Sequence, residues 1–87
     1  MTDTEYARQF AQSSIDLRTS MYNPQAEIIA MCSCLHGLTF KKKEIKKLRK
    51  KLFNILTEYE IGNYDNNTHQ FYKDVYNVHN ELMELAE

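Results

Sequence analysis

The chain has 87 residues, with 11 lysines and arginines against 12 aspartates and glutamates, a formal charge of −1, two glycines, one proline and two cysteines. At this length one domain, 1–87, is expected, with a thin core: roughly 60–65 per cent of the unfolded surface is buried, so a homodimer or other partner is a natural source of further stability. The first residues lack the apolar core of a secretory signal, and no run approaches the roughly 20 apolar residues that cross a bilayer; a chain without leader or membrane span, placed in the cytoplasm, is expected.

Thr2-Asp3-Thr4-Glu5 has the form of a capping box, and Tyr6, Phe10, Leu17 and Met21 then recur at helical spacing, which predicts a first helix over about 3–22. Pro24 closes that helix and suits the first position of the next, where its missing N–H costs nothing. The second helix, about 24–36, carries an apolar stripe of Ile28, Met31, Cys32 and Leu35, with Gly37 as a left-handed C-cap. Thr39 is the expected N-cap of a third helix, about 40–60, in which Ile45, Leu48, Leu52, Ile55 and Tyr59 advance in steps of three and four. After Gly62, residues 63–68 are turn-forming. Phe71, Val75, Val78, Leu82 and Leu85 then define a fourth helix reaching the C-terminus, with Tyr72, Tyr76 and Met83 on an adjoining stripe.

Nothing alternates as a half-buried strand would. The fold class expected is therefore all-α: a small helical bundle of three long helices and one short one, forming a homodimer.

The near-zero net charge conceals a sharp segregation. Between Phe40 and Phe53 stand Lys41, Lys42, Lys43, Lys46, Lys47, Arg49, Lys50 and Lys51 against Glu44 alone, a local balance of +7. The remaining three bases and eleven acids give −8, and seven of those acids fall between Glu58 and Glu87. On a helical wheel, Lys43, Lys46, Lys47 and Lys50 share one row opposite the apolar stripe; Lys42, Arg49 and Lys51 flank it, and Lys41 lies nearer the apolar side. Cations crowd the first turn, where the helix dipole favours acids, and Lys43/Lys47, Lys46/Lys50 and Lys47/Lys51 are like-charged neighbours, each placement costing a few tenths of a kcal/mol, roughly, at low salt. A sequence that breaks local rules without visible compensation marks a functional surface.

Seven lysines and one arginine suit phosphates better than the bidentate reading of base edges. The residues expected to bind nucleic acid, RNA before DNA, are Lys42, Lys43, Lys46, Lys47, Arg49, Lys50 and Lys51, with Phe40, Phe53, Tyr59, Tyr64 or Tyr72 as stacking platforms. Other readings stay open at this stage: an ordinary solvated face, a face neutralised by the acidic fourth helix within the fold or across a dimer, a surface for an acidic protein, and an anionic membrane surface or calmodulin-like capture. A helix-turn-helix reader is disfavoured, since Lys43 and Lys46 stand where its second helix needs buried aliphatics.

Cys32 and His36, four apart on one face, have zinc-ligand geometry but lack two further ligands, so structural, reduced cysteines are expected and no metal or cofactor. No phosphate loop, nucleophile–base pair or carboxylate pair supports an enzyme. Asn66-Asn67-Thr68, although it matches a glycosylation sequon, reads as helix-capping chemistry.

In its small size, Asn and Tyr content, absence of Trp and bipolar charge, the chain resembles the short early accessory proteins of T-even-like phages, and "KKKEIKKLRKK" is similar in character to the basic helix of an RNA-binding inhibitor of a host toxin–antitoxin ribonuclease. The resemblance covers about one helix and implies a non-enzymatic antagonist in the host cytoplasm that engages RNA, a host protein, or both. The alternative is a protein-interaction module, an antitoxin, immunity or regulatory subunit, acting through the acidic fourth helix.

Overall fold

The computed structural model describes residues 1–20 and 23–86, Ser20 by its backbone alone. Four helices, α1 (Asp3–Ser20), α2 (Pro24–Gly37), α3 (Lys42–Glu60) and α4 (Thr68–Ala86), account for the architecture, and no strand occurs among the described residues. Each helix packs on the next and α4 closes back on α1, while the diagonal pairs stay apart across the core. The resulting bundle measures 37 × 24 × 18 Å. None of these helices is long and apolar enough to cross a membrane, among the described residues. The expected Met21 in the first apolar stripe, and the last two residues expected in that helix, lie outside the described residues.

The predicted stripes form the core. Phe10 and Leu17 from α1, Ile28, Met31 and Leu35 from α2, Ile45, Leu48, Leu52, Ile55 and Leu56 from α3, and Phe71, Val75, Val78 and Leu82 from α4 are all buried. Full burial of each such side chain is worth roughly 1.5–3 kcal/mol of transfer free energy. On α2 the thiol that enters the core is Cys34, while Cys32 is only partly buried. Cys34 Sγ approaches Gln9 Oε1 of α1 at 4.0 Å. Burial pushes both thiols above the ordinary value, which leaves them protonated and poorly nucleophilic.

The helix ends follow local chemistry where the cap is local. Thr2 and Glu5 close the expected capping box, with Glu5 N donating to Thr2 Oγ1 (3.2 Å) and Thr2 N to Glu5 Oε1 (3.3 Å). Asn23 Oδ1 accepts from Ala26 N (3.1 Å) and Asn67 Oδ1 from Gln70 N (3.2 Å), so Asn67 serves α4 as a cap. At the end of α3, Gly62 adopts φ +89°. Its N–H donates to Tyr59 O (3.2 Å) and that of Asn63 to Glu58 O (3.0 Å), the paired bonds of a Schellman motif.

Three expectations near the α2–α3 junction are corrected. Gly37 is not a left-handed cap; it ends α2 in helical conformation, and Leu38 caps the helix in an extended one. Its lack of a side chain serves packing instead, because a Cβ there would collide with the Tyr6 ring of α1. Thr39 does not cap α3. Its N–H and Oγ1 both donate to Asp3, at 3.0 and 2.7 Å, tying the junction to the start of α1. The capping position of α3 falls to Lys41, left-handed at φ 44°, ψ 51°, with no side-chain cap. Its Nζ donates to Leu85 O (2.9 Å), where a cation complements the unsatisfied carbonyls at the end of α4.

The glycine assignment makes a stability prediction. Gly37→Ala should destabilise the fold by about 1–3 kcal/mol through overpacking, despite the higher helix propensity of alanine. In a Tyr6→Ala background the same change should become neutral or stabilising, as read by paired urea titrations; an unaltered cost would place the strain elsewhere.

His79 makes another. It lies between Phe10 and Tyr76, ring centroids 6.0 and 5.5 Å away, and its Nδ1 is buried without a partner among the described residues. Arg18 sits over the Tyr76 ring, 5.3 Å from its centroid. Burial lowers the His79 pKa from the ordinary 6.5, so folding favours the neutral ring. The stability that follows is fully present above pH 6.5 and is lost as pH falls from there through the lower folded value. His79→Gln should therefore flatten the decline in stability just below that pH, followed by urea midpoints; an unchanged slope would contradict the assignment.

Candidate nucleic-acid interface

The outward face of α3 is a consequence of its inward one. Ile45, Leu48, Leu52 and Ile55 turn toward the core, so at 100° per residue the lysine row must face water. Lys42, Lys43, Lys46, Lys47 and Lys50 are exposed, and among the described residues none has a carboxylate within ion-pair distance. Five of the seven expected contact residues thus form an unneutralised cationic surface over about three turns.

The other two have structural partners. Lys51 Nζ pairs with Glu81 Oε1 of α4 at 2.7 Å. The two side chains are 53% and 42% exposed, so the pair contributes at most about 1 kcal/mol. Arg49 is half-buried at the seam with α2, where its Nη1 bonds His36 Nδ1. An arginine cannot accept, so this His36 nitrogen is the acceptor and its Nε2 carries the proton. Arg49 Nε is buried and has no partner among the described residues.

Of the five aromatic rings proposed for stacking, four are committed to the fold. Phe40, Tyr59, Tyr64 and Tyr72 pack against the core. Tyr59, Tyr64 and Tyr72 also surround Phe71 with centroids at 4.8, 5.2 and 5.5 Å. Tyr64 Oη donates to Asp74 Oδ2 (2.7 Å), and burial, with that bond, holds the phenol well above its ordinary pKa. Phe53 differs, being 64% exposed.

Beside Phe53 the surface is concave. A groove of about 700 Å³ runs between α2 and α3, with Cys32, Ser33 and His36 on one wall and Lys46, Arg49 and Lys50 on the other, and Phe53 and Asn54 at one end. Ser33, His36 and Asn54 were not among the residues expected from sequence. The i, i+4 pair Cys32/His36 did point to this face of α2, as a metal pair. Among the described residues, no group of three or more His, Cys, Asp and Glu side chains gathers to hold a metal.

No protein-family model, curated protein or solved structure matches this chain. The case for function accordingly rests on the chemistry of the α3 face itself.

Arrayed lysines of this kind act as mobile point charges toward phosphate and read little of the base sequence. Among the described residues α4 supplies the α3 lysines with one direct ion pair, at the edge of the row, and Glu44 is the sole acid within the row. Among the described residues, direct ion pairing with the acidic helix is confined to Lys51.

Proposed function

We propose that this protein is a non-enzymatic nucleic-acid-binding module that contacts the phosphates of RNA through the outward face of α3. The supporting observation is the row of Lys42, Lys43, Lys46, Lys47 and Lys50, exposed and without an ion-pair partner among the described residues. Releasing the counterions that such a row holds is the main driving force for sequence-tolerant binding to a polyanion.

The rival reading, a protein-interaction module working through the acids of α4, is weakened by how those acids are used. Asp74 accepts from Tyr64 and from Gln70 Nε2 (2.7 Å), and Glu81 is bonded to Lys51. Titration of a labelled structured RNA and of a labelled polylysine, in parallel at low salt, separates the two. Tighter binding of RNA is expected, whereas preference for polylysine would move the reading to the acids of α4.

The setting we attach to this chemistry is the one implied by the resemblance, a phage-encoded antagonist of a host toxin–antitoxin ribonucleoprotein acting in the host cytoplasm. It predicts tighter binding to the RNA of such a complex than to unrelated RNA of equal length. A homodimer belongs to the same proposal, supported by Ile15 and Ile29, each more than half exposed. Sedimentation at increasing concentration should show it, and a monomer throughout would remove it.

A further inference from the structure

We propose that the groove between α2 and α3 is a subsite for one unpaired nucleotide of a single strand, its base stacked on Phe53 and its flanking phosphates held by Lys46 and Lys50. The inference rests on the phosphate-binding reading of α3 and adds to it what kind of strand the site prefers.

Three observations converge on that occupant. A row of lysines that only follows a duplex backbone has no use for an aromatic ring, yet Phe53 stands 64% exposed one turn beyond the last lysines of the row. An exposed aromatic beside cations is the combination that binds single strands, because every base offers a face to stack and every phosphate a charge. The concavity is also large enough: its volume of about 700 Å³ lies within the roughly 300–1,000 Å³ typical of small-molecule sites.

Arg49 adds definition to the α3 wall. His36 holds one end of its guanidinium. A nucleotide oxygen or ring nitrogen entering the groove would meet a charged plane already held in place, with less side-chain freedom to lose than a free arginine. On the opposite wall, Ser33 and the partly buried Cys32 are small and leave room for the base. Duplex RNA cannot use this arrangement without unpairing, since its bases are stacked and its accessible edges lie in the grooves.

The test compares a labelled single strand of mixed sequence, roughly 10 nucleotides long, with the same strand annealed to its complement, each titrated with the native chain, Phe53→Ala and Phe53→Trp. Because Phe53 is largely exposed, neither substitution threatens the core. Phe53→Ala should weaken single-strand binding roughly tenfold, the lower part of the range for loss of one stacked base, and leave duplex binding unchanged. Phe53→Trp should restore native affinity and quench its own fluorescence on binding the single strand. Equal single-strand affinity in Phe53→Ala and the native chain would overturn the subsite while leaving the lysine face intact. Equal weakening of both ligands would also overturn it, by making Phe53 a general surface contact. Failure of the native chain to bind either ligand would overturn the subsite together with the reading on which it rests.

Discussion

The variant Lys43/Lys46/Lys47/Lys50→Glu should fold as the native chain does and lose its affinity for RNA, by on the order of a thousandfold at low salt. Four reversals change the charge of one face by eight units, turning a row that releases counterions into one that repels phosphates. Folding is expected to survive because all four side chains are exposed and lysine and glutamate have similar helix propensities. Acids near the start of α3 also suit the helix dipole better than the cations they replace. Circular dichroism supplies the folding control and fluorescence anisotropy the affinity. Glu84→Gln, on the exposed surface of α4, should leave RNA binding unchanged. A folded quadruple variant that binds RNA as tightly as the native chain would remove α3 from the function.

Phe71→Ala is expected to produce the largest loss of stability of any single substitution, about 3–5 kcal/mol. The ring is 1% exposed and lies at the centre of a cluster with Tyr59, Tyr64 and Tyr72. Its removal forfeits the transfer free energy of a large side chain, opens a cavity where α3 and α4 meet, and breaks three ring contacts worth roughly 0.5–1.5 kcal/mol each beyond area burial. A domain of this size has roughly 5–10 kcal/mol in all, so much of its stability would go. At about 4–8 °C per kcal/mol, the melting temperature should fall by roughly 12–40 °C. Phe71→Leu, which keeps much of the volume, should cost less than half as much. A loss below about 1 kcal/mol in Phe71→Ala would mean that the cluster is not the anchor of the α3–α4 pair.

Much of this fold was legible because helical periodicity is a local signal. α3 and α4 carry stripes with one clear apolar side, and those stripes are buried from Ile45 to Ile55 and from Phe71 to Leu82, with Tyr59 and Leu85 at their ends half-buried. The capping box at Thr2 was readable for the same reason, its partners being three residues apart. α2 was harder. Ile28, Ile29, Ala30, Met31, Cys32, Cys34 and Leu35 are apolar on nearly every side, so spacing picked out Ile28, Met31 and Leu35 but placed Cys32 on the stripe where Cys34 is the buried thiol.

The corrected positions share a cause, which is that tertiary partners took over roles assigned from neighbours. Thr39 is claimed by Asp3, 36 residues away, and Lys41 by Leu85, 44 residues away. Gly37 accommodates Tyr6 of another helix, while the left-handed glycine cap expected of it occurs at Gly62. The candidate site divides along the same line. Its lysine row was visible in the periodicity of α3 alone, but the groove depends on where α2 lies. Phe53 could be separated from the other four rings only once Phe40, Tyr59, Tyr64 and Tyr72 were seen packed against the core.

The most direct test of the phosphate-binding claim is the salt dependence of RNA affinity for the native chain, measured from about 50 to 200 mM monovalent salt. With up to five unneutralised lysines available, the logarithm of the affinity should fall linearly against the logarithm of salt concentration, with a slope of roughly −3 to −4. Absence of binding at the lowest salt, or an affinity that barely changes across the range, would contradict the account.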